Sequence, residues 1–103
     1  RYNGFEEQAA RLRQAIPRDE RPILGSPNAW FSFMDREFYP ATYTMFFRQT
    51  GSYYFIEDDN FRKNEPGYAA PAMRAFLRSA REMKKLQSLN AGGRLLTIFI
   101  INR

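Results

Sequence analysis

Near its end the chain carries seven residues, Leu95-Leu96-Thr97-Ile98-Phe99-Ile100-Ile101, of which only Thr97 is polar. Successive side chains of a strand point to opposite faces, so apolar residues at both parities call for cover on both sides. A run of this kind is typical of a strand in the middle of a parallel sheet. It is also the longest apolar stretch in the chain, and it falls well short of the roughly 20 residues that a membrane-spanning helix needs.

The remaining elements are expected to arrange themselves around that strand. Asn3 and Glu6 have the spacing of a capping box, and Glu6 and Glu7 lie where a helix dipole favours anions. Phe5, Ala9, Leu12 and Ile16 form one helical stripe, so a helix is expected from about Asn3 to Ile16, ended by Pro17. Pro22-Ile23-Leu24-Gly25 reads as a short buried strand, Phe38-Tyr39 as a second, and Ser52 to Ile56 as a third, closed by the acidic turn Glu57-Asp58-Asp59-Asn60. Thr42 to Phe47 fits either a strand or a short helix. From Pro71 to Leu89, Met73, Phe76, Leu77, Ala80, Met83 and Leu86 or Gln87 follow helical spacing, and Asn90-Ala91-Gly92-Gly93 is suited to ending a helix. This order predicts an α/β fold, with a small, mostly parallel sheet of three or four strands flanked by two main helices.

A length of 103 residues, 44% of them hydrophobic, suits one domain. The chain begins with Arg1 and reads as a single soluble domain, a segment of something longer. There is no Val, so Ile and the 10 Phe and 6 Tyr must furnish the sheet. There is also no Cys and no His, which excludes disulfides, thiol nucleophiles, zinc fingers and imidazole acid–base chemistry. A segment so equipped is not expected to be catalytic by itself, and no cofactor or metal is expected. The net charge of +5, with 13 Arg against 3 Lys, suits an anionic partner without choosing among nucleic acid, lipid surface and phosphorylated substrate.

Three groups of residues can carry function. On the expected long helix, Arg74, Arg78, Arg81 and Lys85 recur at i, i+4, i+7 and i+11, a cationic stripe able to meet phosphates; the plain alternative is an ordinary solvated face. Tyr53 and Tyr54, if exposed, could stack on bases or sugars; the plain alternative is core packing. The acidic residues Glu57, Asp58 and Asp59 offer oxygens to a hard cation but lack the spacing of a calcium loop. Asp35, Glu37 and Asp58 are the carboxylates a glycoside-cleaving pair would draw on.

The segment from Phe5 through Ile16-Pro17, then Pro22-Ile23-Leu24-Gly25, Trp30-Phe31 and the closing strand Leu95 to Ile101, resembles the soluble tail domain of bacterial integral-membrane glycosyltransferases of the protein mannosyltransferase and aminoarabinose transferase type. The resemblance implies a parent enzyme using a polyprenyl-phosphate sugar donor, with its catalytic residues outside this segment. It also implies a location on the extracytoplasmic, periplasmic face of a bacterial membrane, where the partners are the rest of the parent protein and an anionic lipid or polyprenyl-phosphate surface. The competing expectation is a stand-alone module binding nucleic acid or protein through the Arg-rich helix and the tyrosines, with nucleic acid the weaker of the partner readings.

Overall fold

The computed structural model describes residues 5–25, 33–40, 51–58, 75–91 and 93–103. Helix α1 (Phe5–Ala15) is followed by strands β1 (Ile23–Gly25), β2 (Phe38–Pro40), β3 (Ser52–Asp58), β4 (Glu82–Ala91) and β5 (Arg94–Asn102). The strands form one sheet in the order β2-β1-β3-β5-β4. β1 is parallel to both neighbours, with Ile23 opposite Phe38 on one side and Tyr54 on the other. β5 is antiparallel to both of its own, with Phe99 opposite Phe55 and Ile101 opposite Met83.

The sheet separates two cores, and strand alternation decides which side chain joins which. Ile23, Tyr54, Ile56, Leu96 and Ile98 face α1, where Leu12 and Ile16 meet them with Phe33 and Leu89. Leu24, Tyr53, Phe55 and Ile101 face the other way, against Phe76, with Leu77, Ala80, Phe99 and Tyr39 at the margin. Leu12 and Ile16 are almost wholly buried, each such side chain contributing about 1.5–3 kcal/mol by leaving water. Gln8, Leu12 and Ile16 are thus the inner line of α1, with Ala9 half-buried beside it. Pro17 follows the last helical hydrogen bond, Ile16 N–H to Leu12 C=O at 3.0 Å.

Two expectations are corrected. The sheet is mixed and five-stranded rather than mostly parallel with three or four strands, and the helices are minor. The closing strand does have both faces covered, but burial on two faces fixes only the apolar pattern and leaves strand direction open. The long helix from Pro71 to Leu89 is also not formed as one element over its described part. Residues 75–78 are helical, whereas Glu82 onward is β4; residues 71–74 lie outside the described residues, as do 26–32 and 41–50 of the middle third.

The composition of β4 favours a helix: Glu, Met, Lys, Leu and Gln without one β-branched residue. Tertiary pairing overrides it. Ala91 is opposite Arg94, so only two residues join β4 to β5, a hairpin connection rather than a helix end, and Gly93 has φ of +79°. Closing so short a loop costs little, and the strand it delivers satisfies the backbone groups along one whole side of β5. A helix over the same residues would leave that buried side without partners.

Candidate functional site

Among the described residues a dense polar arrangement lies where the chain runs into the two parallel strands. The turn after α1 leads into β1 and residues 33–37 lead into β2, so the parallel pairing of Ile23 with Phe38 brings these two segments side by side. Together they line a cleft of about 500 Å³ formed by Arg18, Asp19, Glu20, Arg21, Asp35, Arg36 and Glu37.

Arg36 organises it. Its side chain is only 7% exposed, and its guanidinium donates to the carbonyls of Pro17 at 2.9 Å, Asp19 at 3.1 Å and Arg21 at 2.8 Å. A planar fork with five N–H donors suits several carbonyls fixed at different angles, which a Lys ammonium cannot match. From below, the Tyr54 hydroxyl donates to Asp19 Oδ2 at 2.6 Å. The Arg21 and Arg36 guanidinium carbons stand 5.3 and 5.7 Å from the centre of the Tyr54 ring. Asp19 also accepts from the Arg21 backbone N–H at 3.0 Å. At the mouth Arg18 pairs with Asp35 at 2.8 Å, and the Tyr39 hydroxyl donates to Glu37.

The electrostatics follow from these contacts. Partial burial pushes the Asp19 carboxyl up, but the bonds from Tyr54 and Arg21 and the charges of Arg21 and Arg36 outweigh it and hold the group below the usual carboxylate range. The hydrogen bond from Arg18 holds Asp35 low as well. Tyr54 is pushed up to about 12, by burial first and then by its bond to Asp19. A general acid for glycoside cleavage needs a carboxyl raised toward neutrality. Asp35 and Asp19 go the opposite way, and the cleft behaves as an ion-paired latch fixing the lead-in to β1 against the lead-in to β2.

The residues singled out from sequence are dispersed by the fold. Arg78 is exposed at the end of the helical residues 75–78, Arg81 is exposed just before β4, and Lys85 is exposed on β4; Arg74 lies outside the described residues. Over its described part the helical stripe is therefore split, with Arg78 on the helical residues and Arg81 and Lys85 before and on the sheet's edge strand. Met83 and Lys85 are opposite Ile101 and Phe99 and share their face, while Lys84 is opposite Ile100 on the other. Tyr53 and Tyr54 are each 1% exposed, so neither offers a ring face to a base or sugar. β3 runs on to Asp58, which is buried opposite Leu96, and Asp59 and Asn60 lie outside the described residues. Among the described residues no cluster of acidic side chains could hold a metal ion, and no helix is long and apolar enough to cross a membrane.

Arg36, Asp19 and Lys84 are not among the residues that the sequence singles out. Lys84 was legible, since a strand reading of β4 adds it to Arg81 and Lys85. Arg36 had no local signal, because its partners are carbonyls some 15 to 19 residues earlier in the chain. No family model, no curated protein and no solved structure matches the chain.

Proposed function

We propose that this chain is a non-catalytic domain that presents the basic outer edge of its sheet to an anionic, phosphate-bearing lipid surface. The observation that carries this reading is that Arg78, Arg81, Lys84 and Lys85 are all exposed and fall within eight residues of sequence, Lys84 and Lys85 on the outermost strand of the sheet. Among the described residues no salt bridge engages them, in contrast to Arg18, Arg21 and Arg36, which are committed to Asp35 and Asp19. Each basic group near an anionic membrane contributes about 1 kcal/mol of attraction, so four suffice for measurable attachment at moderate salt. The wider setting is the extracytoplasmic part of a membrane glycosyltransferase using a polyprenyl-phosphate sugar donor, supported by the resemblance of Phe5 to Pro17, Pro22 to Gly25, Trp30-Phe31 and the closing strand.

Flotation with vesicles of phosphatidylcholine, alone and mixed with phosphatidylglycerol, tests it. Binding is expected only to the anionic vesicles, with loss at high salt and on replacing Arg78, Arg81, Lys84 and Lys85 by Gln. Equal recovery with neutral vesicles, or retention by the Gln variant, overturns the reading. Tighter binding to single-stranded DNA than to the vesicles overturns it in favour of a nucleic-acid partner.

A further inference from the structure

Among the described residues four large hydrophobic side chains are exposed: Met34, Met83, Leu86 and Leu95. Two of them, Met83 and Leu86, each 40% exposed, sit on β4 between and beside Arg81, Lys84 and Lys85. β4 is the last strand of the sheet, and all its residues from Glu82 to Ser88 are exposed. Among the described residues α1 engages its far end from outside the sheet, where Arg11 donates to the Asn90 carbonyl at 2.5 Å. The register shifts between Lys85 and Gln87, so Leu86 is the extra residue of a bulge and bends the strand where the lysines lie.

Lysines and a bulge are common guards against edge-to-edge pairing. That role accounts for Lys84, Lys85 and the bulge, but it gives no reason for two large apolar side chains in the open among them. Cations interleaved with exposed apolar groups are the composition of a surface lying in the interfacial layer of an anionic bilayer. A second copy of the same chain is disfavoured, since pairing β4 with itself brings both sets of cations together.

We infer that the bulged half of β4 is a membrane-seating edge, with Met83 and Leu86 entering the boundary between headgroups and acyl chains while Arg81, Lys84 and Lys85 hold the phosphates. This rests on the anionic-surface reading above and adds to it an insertion depth and an orientation, the sheet meeting the bilayer edge-on. The chain has no cysteine of its own, so Met83→Cys, Leu86→Cys and the control Met34→Cys each create a unique site for an environment-sensitive fluorophore. Met34 is 63% exposed and precedes β2, at the opposite end of the strand order.

With vesicles of phosphatidylglycerol mixed with phosphatidylcholine, labels at 83 and 86 are expected to shift to shorter wavelength and become shielded from an aqueous quencher, while the label at 34 does not respond. Lys84→Gln and Lys85→Gln are expected to lower partitioning about fivefold per charge removed. Flotation with unshifted labels at 83 and 86 overturns the insertion and leaves the docking reading standing. Absence of flotation overturns both. A shift without vesicles that grows with protein concentration overturns it in favour of a second copy on the edge.

Discussion

The hydroxyl of Tyr54, on β3, donates to Asp19, in the turn before β1, at 2.6 Å. The bond joins the sheet core to the one loop that Arg36 holds through three carbonyls. Tyr54→Phe keeps the ring and removes the bond, so it is expected to lower unfolding free energy by about 1 kcal/mol, less than is usual for a bond to a charged group because Asp19 is partly in water. Urea unfolding of the two proteins measures it; unchanged midpoints would show that the bond contributes nothing.

Arg36→Lys retains the charge but not the fork. With three carbonyl contacts at stake, Arg36→Lys is expected to cost about 2 kcal/mol, and Arg36→Met a similar amount. If Lys restores wild-type stability where Met does not, charge rather than geometry holds the latch.

The same latch sets an acid limit. The Asp19 carboxyl titrates lower in the folded chain than in the unfolded one. Its contribution is therefore complete above the unfolded value near 4 and is lost as pH falls through the folded value. Asp19→Asn should flatten the fall in stability below about pH 4 relative to the parent chain. An identical acid profile for the two would assign that fall to other carboxylates.

At the alkaline end, burial lifts Tyr53 to about 12 despite the nearby Arg103 charge, and lifts Tyr54 to about 12 with help from Asp19. Both pKa values are raised on folding, so their contribution is whole below about pH 10 and is lost as pH rises toward 12. Tyrosinate absorbance should show part of the tyrosine signal titrating toward pH 12 in the folded chain and moving back toward 10 in urea. Ionisation of every tyrosine near pH 10 without urea would contradict the buried placement.

Two glycines test different constraints. A Cβ on Gly25 would meet Ile56 Cβ at 3.2 Å and Phe38 Cζ at 3.4 Å, so Gly25→Ala is expected to cost about 1–3 kcal/mol by overpacking. Gly93 faces open space but has φ of +79°, so Gly93→Ala costs about 1–2 kcal/mol through backbone strain and Gly93→Asn less. A Gly93→Asn variant no better than Gly93→Ala would remove the conformational explanation.

What the sequence determined by itself were the segments whose burial is written in their own residues. The stripe through Leu12 and Ile16, the Ile23-Leu24 burst, Phe38-Tyr39, the aromatic run after Gly51 and the apolar stretch to Ile101 all became the elements their patterns predict. Each has an apolar stripe or an apolar run that holds whatever lies next to it. The tertiary structure decided what depends on a neighbour. Glu82 to Ala91 is a strand because a two-residue turn lays it along β5, against a local preference for helix. β5 is antiparallel to both neighbours because connectivity sets direction and apolarity does not. Arg36 became the centre of a latch only when parallel pairing of β1 and β2 brought it to the carbonyls of Pro17, Asp19 and Arg21. Of the cations read as a helical stripe, Lys85 came to lie on the edge strand and Arg81 just before it by the same override, while Arg78 stayed on the helical residues 75–78. Hydrophobic period is a property of a segment, whereas strand partner, direction and the meeting of polar groups are properties of the closed chain.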